Sequence, residues 1–401
     1  MGVGRVKGRY WGKIWGFAEE MELSEDDSWV IKYFENIDDP RNLIDLGIGE
    51  PDFDLFEPLK AEAERVIRRG LNKYTQTAGV PELREAIAEY YGRRWGVSVN
   101  PDSVIVTPGA SNALFMSLAS IIHPEDGVVI PTPSFPSFIS LTKILRGRVV
   151  EVEPLPESDF QIDIDGVEAV LRQGAKAVII NSPTNPTGTI IDESNFSRVV
   201  EQCRANGAYL ISDEVYERFV YGVDYVSAAK YLRDYDRIII VNSFSKTLAM
   251  TGWRLGYMIV PEHLRPSIIR LQAYINACPP SVAQYVALYA LKSSEVQKMI
   301  DERVLECWRR RDVLHKELNS RGVPAHLPKG GIYLFPRIPL PLDSETFCNR
   351  LAKEEGVVAI PGKAFGKGGE GHFRVTLSAS SEKLVEAAER IASFVDRAKS
   401  K

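Results

Sequence analysis

Five short apolar runs constrain this chain most: Val104-Ile105-Val106, Val128-Val129-Ile130, Val178-Ile179-Ile180, Tyr209-Leu210-Ile211 and Ile238-Ile239-Ile240. A run that is apolar throughout, rather than at alternate positions, suits a strand with both faces buried. Longer stretches with helical periodicity lie before and between them, at 82–95, 111–121, 136–145, 165–173 and 192–206. Strands that alternate with helices are joined by crossovers, so the runs predict a mostly parallel sheet covered on both faces.

The pattern changes near residue 295. A long charged helix is predicted over 295–321, then strands at 331–337, 357–360 and 372–377, and a closing helix over 382–398. Two domains are the natural expectation for 401 residues. The reading is an α/β chain with a large α/β/α domain over 46–285. A smaller α+β domain takes 286–401 together with residues 1–45, the latter forming an N-terminal arm. In that arm Arg5, Lys7, Arg9 and Lys13 alternate with Tyr10, Trp11, Trp15 and Phe17. No uninterrupted apolar core marks a signal peptide there; the readings left are a basic amphipathic membrane contact and an arm packed over the site or a partner subunit, the second being the one expected.

Open parallel sheets bind ligands beyond the carboxyl ends of their strands. Gly109-Ala110-Ser111, Phe135, Asn185, Asp213 and Ser243 to Lys246 each follow one of the five runs within a few residues. They are therefore expected on one edge of one sheet. In Ser243-Phe244-Ser245-Lys246-Thr247, a lysine stands among hydroxyls with Arg254 eight positions on. Such a lysine can form a Schiff base with an aldehyde, while hydroxyls and a guanidinium hold a phosphate. The spacing Ser243 to Lys246 also fits the Ser-x-x-Lys of penicillin-binding enzymes, but the Ser-Asp-Asn and Lys-Thr-Gly companions are absent from the chain. Gly109-Ala110-Ser111 leads into a helical stretch, where free amides attract a phosphate; an ordinary serine-capped turn is the plain alternative. Asp213 reads either as a strand-end cap or as a carboxylate facing a cationic ring nitrogen. Arg374, inside Phe373-Arg374-Val375, is either an edge-strand arginine or a fork for a carboxylate.

The chain resembles the class I/II pyridoxal-phosphate aminotransferases, fold type I and aspartate aminotransferase-like. The likeness runs from Gly47-Ile48-Gly49-Glu50-Pro51-Asp52-Phe53 through Lys73-Tyr74-Thr75, Gly79, Asn185-Pro186-Thr187-Gly188, Asp213-Glu214-Val215-Tyr216 and the Lys246 segment to Phe373-Arg374-Val375. The resemblance implies pyridoxal 5′-phosphate on Lys246, with its phosphate against Gly109, Ala110, Ser111, Ser243, Ser245 and Arg254. It implies Asp213 at the ring nitrogen, Tyr216 and Asn185 at the phenolic oxygen, and Phe135 stacked on the ring, where the family often has a larger or more polar aromatic. Arg374, Asn185 and the Gly49 backbone would take the substrate α-carboxylate. Tyr74 would reach the phosphate of the neighbouring subunit in a homodimer. The implied activity moves an amino group from an L-amino acid to a 2-oxo acid in two half-reactions, with aspartate, aromatic or varied donors. A carbon–sulfur lyase or eliminating synthase on the same fold is the alternative.

Other classes are disfavoured. The net charge of −5 gives no reason to expect nucleic acid as a partner, and Arg309-Arg310-Arg311-Asp312 reads as a solvated helix face. A regulator with an appended DNA-binding domain would need more chain than the roughly 45 residues before Gly49. Cys203, Cys278, Cys307 and Cys348 are scattered, so reduced thiols and a cytoplasmic location are expected. Histidine spacing suggests no metal, and no apolar run approaches the ~20 residues of a membrane helix. Gly366-Lys367-Gly368-Gly369-Glu370-Gly371 fits Gly-x-Gly-x-x-Gly but precedes a strand, so it reads as a flexible loop and not a dinucleotide fingerprint.

Overall fold

A computed structural model describes residues 43–155 and 158–400. The N-terminal segment from Arg5 to Phe17 lies outside the described residues. The elements run β1 (Ile44–Asp45), α1 (Glu57–Arg68), α2 (Pro81–Trp95), β2 (Val104–Thr107), α3 (Ala110–Ala119), β3 (Gly127–Pro131), α4 (Ser137–Ile144) and β4 (Arg148–Val152). Then come α5 (Ile164–Arg172), β5 (Ala177–Asn181), α6 (Glu193–Asn206), β6 (Tyr209–Asp213), β7 (Ile238–Ser243) and β8 (Gly256–Ile259). They are followed by α7 (Arg265–Asn276), α8 (Ser281–Lys292), α9 (Ser294–Ser320), β9 (Tyr333–Leu334) and α10 (Ser344–Glu355). The chain closes with β10 (Val357–Val358), β11 (Ile360–Pro361), β12 (Phe373–Thr376) and α11 (Ser381–Lys399).

Seven strands form the main sheet in the order β2-β8-β7-β6-β5-β3-β4. Pairings from β7 across to β4 are all parallel, and β8 runs antiparallel to both of its neighbours. Successive residues on each strand enter opposite cores. Val178, Ile180, Leu210 and Ile240 face one, and Ile179, Ile211, Ile239 and Met258 the other. Helices cover both sides: α1, α2, α5, α6 and α8 the first, α3, α4 and α7 the second. Burial on both faces is why these strands read as continuous apolar runs. Two strands lacked that signal. Arg148–Val152 is an edge strand with its first residue exposed, and Gly256–Ile259 follows β7 with only a short 3-10 turn, Thr251–Trp253, and no α-helix between them.

A second core gathers β1, the end of α9, β9, α10, β10, β12 and α11 around Leu318, Phe347, Phe373 and Phe394. A three-stranded antiparallel sheet, β11-β12-β9, places Arg374 on its central strand rather than at an edge. The strands here are shorter than the sequence suggests: 331–337 contributes only Tyr333–Leu334, and 357–360 splits into two pieces. Helix α9 joins the two cores, its Val296 and Ile300 packing in the first and its Leu314 and Leu318 in the second. One expectation fails on this helix. Arg310 and Arg311 are buried, not solvated: Arg310 pairs with Asp52 at 2.7 Å and Glu306 at 3.0 Å, and Arg311 donates to the Pro328 carbonyl at 2.9 Å. The rings of Phe53 and Tyr221 lie against the two guanidiniums at 4.6 and 5.0 Å. Paired and stacked guanidiniums tolerate burial that lysines would not. The glycine-rich stretch at 366–371 is likewise no loose loop. A short helical turn spans Lys367–Gly369, and Gly366 and Gly368 abut Thr132 closely enough to leave no room for a Cβ.

Candidate active site

A cavity of about 320 Å³ opens at the carboxyl ends of β5, β6 and β7 and is closed from the other side by β9, β11 and β12. Its walls hold Gly49, Ala110, Ser111, Phe135, Asn185, Asp213, Tyr216, Ser243, Ser245, Lys246, Arg254 and Arg374, which come from well-separated segments of the sequence. Gly109 adjoins it through Arg254. Tyr74 is elsewhere, 88% exposed on the loop between α1 and α2.

Each wall has a local cause. Helix α3 starts at Gly109 with no side-chain cap, so the first amides of the helix are left to a ligand. Gly109 has φ +83°, and a Cβ there would stand 2.6 Å from Arg254 Nη2, so glycine is needed for the guanidinium to approach. Arg254 itself has φ +52° and donates from Nη1 to the Thr251 carbonyl at 2.8 Å, which leaves Nη2 beside the helix start. Ser243 Oγ accepts from the Ser245 amide at 3.1 Å and donates to the Leu255 carbonyl at 3.2 Å, folding the turn that carries Lys246. Lys246 Nζ donates to the Gly49 carbonyl.

Asp213 ends β6 and is buried. Its carboxylate accepts one backbone bond, from Val215 N at 3.2 Å, and burial pushes its pKa up to about 7. A buried acid with so little compensation among the described residues suits a cationic partner. Its neighbour Glu214 points into the opposite network, accepting from Ser212 Oγ, Ser227 Oγ and Ala228 N; burial raises it to about 7 as well. Tyr216 is buried, and desolvation holds its phenol well above the ordinary value, so it carries its proton at neutral pH.

Asn185 follows a cis peptide-linked turn and is held by Asn181, whose Oδ1 accepts from Asn185 N at 2.7 Å and whose Nδ2 donates to the Asp213 carbonyl at 3.1 Å. Arg374 Nη1 donates to Asn185 Oδ1 at 3.0 Å. A guanidinium has no acceptor, so the oxygen must face it, and Asn185 Nδ2 is left to donate elsewhere. Arg374 Nη2 donates to the Gly47 carbonyl at 2.6 Å, while Nε is buried with no partner among the described residues. The rings of Tyr333 and Phe365 lie at 4.4 and 5.0 Å from the guanidinium.

Sequence reasoning missed several wall residues, namely Leu114, Asn181, Val215, Tyr333, Ile360 and Phe365. Tyr333 had one available signal. A tyrosine in the apolar run Ile332-Tyr333-Leu334-Phe335 must find a partner for its hydroxyl when buried. Its partner, Tyr216, lies 117 residues away and could not be named.

The family model described as aminotransferase class I and II matches residues 41–391. The chain is 37% identical over 367 residues to aromatic-amino-acid aminotransferase 2 of Thermococcus litoralis, covering 91% of this chain and 94% of the relative. It is 37% identical to an aspartate aminotransferase of Pyrococcus abyssi, with the same coverage. The crystal structure of an aromatic aminotransferase from Pyrococcus horikoshii superposes with a TM-score of 0.88 at 36% identity, over 96% of this chain and 99% of that one. The chain belongs to the class I and II aminotransferases, and its fold is theirs.

It is a pyridoxal-phosphate-dependent aminotransferase, and the residues present fit that cofactor. A phosphate suits the uncapped helix start and the Arg254 guanidinium, across a glycine where a Cβ would intrude. A protonated ring nitrogen suits the sparsely bonded Asp213. Lys246 brings a primary amine, the group an aldehyde would need, to the same cavity wall. Among the described residues there is no cluster of three metal-ligating side chains, and no helix is long and apolar enough to cross a membrane.

Proposed function

We propose that this enzyme transfers the amino group of L-amino acids, aspartate and aromatic donors among them, to a 2-oxo acid by a two-step exchange at this cavity. The observation that carries the reading is the meeting of Lys246, Asp213, Arg254 and Arg374 around one space. When bound, pyridoxal phosphate supplies an aldehyde that takes up the amino group and a ring that draws electron density from the substrate Cα. Ala110, Ser111, Ser243, Ser245 and Arg254 hold its phosphate, with the Gly109 turn giving them room. Asp213 would keep the ring nitrogen charged, and Phe135 would pack on the ring. Tyr216 Oη and Asn185 Nδ2 donate to the phenolic oxygen. With the cofactor bound, Lys246 Nζ would hold its aldehyde between turnovers and, once displaced by the donor's amine, would take the proton that leaves the substrate Cα.

Arg374, with Asn185 and the Gly49 backbone, takes the α-carboxylate, and its unpartnered Nε supports that role. The donor's side chain meets Phe135, Ile360 and Phe365, an apolar wall that suits aromatic donors. Initial rates with a panel of amino donors and 2-oxoglutarate test this. Turnover of tyrosine or phenylalanine at rates comparable to aspartate is expected, and absence of any aromatic turnover would overturn the assignment of that wall.

Arg374→Lys is expected to raise the KM for every amino donor by a similar factor, roughly 10- to 100-fold, because an ammonium cannot reproduce a two-bond fork. A loss confined to aspartate and glutamate would mean that Arg374 reads the side chain instead.

The working unit in this reading is a cytoplasmic homodimer with residues 46–285 as the cofactor domain and 1–45 with 286–401 as the smaller one. The four cysteines, none of them in a disulfide, accord with a reducing compartment. Tyr74 of one protomer reaches Arg254 and Ser243 of its partner. Support comes from exposure: besides Tyr74, α7 leaves Tyr274 87% exposed with Ile275 beside it, apolar surface that the other described residues leave uncovered. Mixing a Lys246→Ala chain with a Tyr74→Ala chain, each nearly inactive, is expected to restore up to about a quarter of the wild-type rate once subunits exchange, since half of the dimers are mixed and each has one intact site. No recovery after exchange is verified by sedimentation and tag capture would place Tyr74 in its own chain's site.

A further inference from the structure

Tyr216 and Tyr333 form a buried hydroxyl pair, with oxygens 2.9 Å apart and rings edge to face at 78°. Each is the only hydrogen-bond partner the other's hydroxyl has among the described residues. Tyr333 lies on β9, where it pairs with Thr376 of β12, two residues beyond Arg374 on the same face of that strand. This register brings the Tyr333 ring 4.4 Å from the Arg374 guanidinium. On its remaining side a Cβ at Gly49 would overlap the Tyr333 hydroxyl, so the Gly49 backbone also rests against it. A single side chain thus touches the phenol that faces the cofactor, the guanidinium that faces the substrate and the backbone segment to which Lys246 is bonded.

We propose that Tyr333 is a positioning residue: its hydroxyl sets the strength of Tyr216 as a donor, and its ring sets the pose of Arg374. This rests on the assignments of Tyr216 and Arg374 given above. A phenol has one proton. Once Tyr216 commits its own to an acceptor in the cavity, its oxygen can only accept from Tyr333, so Tyr333 must be the donor of the pair. The result is a chain from Tyr333 through Tyr216 to the phenolic oxygen. In a buried setting each bond of such a chain polarises the next, so Tyr333 makes Tyr216 a stronger donor than it would be alone. A stronger donor favours the more negative form of its acceptor, and the bound cofactor then gives up its proton at lower pH. The ring acts separately. A guanidinium over an aromatic face keeps a favourable contact while its Nε stays free for a carboxylate.

The experiment uses the full-length protein loaded with pyridoxal phosphate and no substrate, and reads the pH midpoint of the visible absorption change. Tyr333→Phe is expected to move that midpoint upward by about half a pH unit, with melting temperature and cofactor content unchanged. Tyr216→Phe is expected to move it further, and the double variant no further than Tyr216→Phe, because Tyr333 acts only through Tyr216. In steady state, Tyr333→Phe keeps the ring and leaves donor KM values near wild type. Tyr333→Leu raises them about five-fold for all donors. An unmoved midpoint in Tyr333→Phe beside a shifted one in Tyr216→Phe would overturn this inference and leave the role of Tyr216 standing. An unmoved midpoint in Tyr216→Phe would instead overturn the underlying assignment. Additive shifts in the double variant would mean that Tyr333 acts on the cofactor independently. Should the leucine variant fail to fold, the phenylalanine titration decides alone.

Discussion

Replacing Lys246 with alanine is expected to lower turnover by ~10⁴ or more and to abolish the pH-sensitive visible band of lysine-bound cofactor. Both losses follow from one atom. Nζ is the only lysine amine among the described residues of the cavity wall, and a Schiff base with an aldehyde needs such an amine. Cofactor binding is expected to persist in weakened form, because the uncapped start of α3 and Arg254 are untouched. Lys246→Arg is expected to fare no better than alanine, since a guanidinium stays protonated and is a poor nucleophile. An alanine variant with wild-type turnover would remove Lys246 from the mechanism.

Asp213→Asn is expected to lower kcat by ~10³, equivalent to about 4 kcal/mol of barrier, at saturating cofactor. The amide keeps the shape and loses the charge that, in the proposed mechanism, holds the ring nitrogen protonated. A second effect of opposite sign is expected in the protein stripped of cofactor. The folded-state pKa of Asp213 is about 7, raised by burial from an ordinary 3.8. Its contribution is therefore most favourable below pH 4 and is lost as pH rises through 7. At pH 8 the stripped Asp213→Asn variant should then be more stable than wild type by roughly 2–4 kcal/mol, and the gap should close toward pH 4. Thermal melts of the stripped proteins at pH 5 and pH 8 measure it. A kcat that survives at cofactor saturation would show that the carboxylate serves binding alone. An equal stability difference at both pH values would mean that the charge is compensated in the fold.

Most of the large sheet is legible in the sequence because its strands are buried on both faces and carry the signal in their own composition. Val178-Ile179-Ile180 needs no partner to be recognised. The residues at the strand ends were legible for a related reason. Parallel topology sends every carboxyl end to one edge, so Asn185, Asp213 and Lys246 converge there by connectivity alone. What could not be read depended on contacts distant in sequence. Arg310 and Arg311 look like surface charges until Asp52 and Tyr221 are brought against them. Likewise β9 shrinks to two residues because only Tyr333 and Leu334 meet β12. The wall opposite the sheet, from Tyr333 to Phe365, was invisible for the same reason. Its members are ordinary core residues by type and become functional candidates only by position.

The loop that carries Tyr74 is tied down by two fully buried amides. Gln284 Oε1 accepts from Val80 N at 2.7 Å, and its Nε2 reaches Thr75 Oγ1 at 3.1 Å and the Pro279 carbonyl at 3.0 Å. Gln272 Nε2 donates to the carbonyls of Thr77 and Val106, the latter at 2.9 Å. The tyrosine at the tip is almost wholly exposed, yet the backbone behind it is anchored to α7, α8 and β2. Whatever surface meets Tyr74 meets a preorganised probe. The conformational entropy of ordering the loop is surrendered when the single chain folds, and little of it remains to be charged against association. Loosening either glutamine would therefore weaken a contact that neither residue touches, chiefly by making the loop search for its place at the moment of encounter.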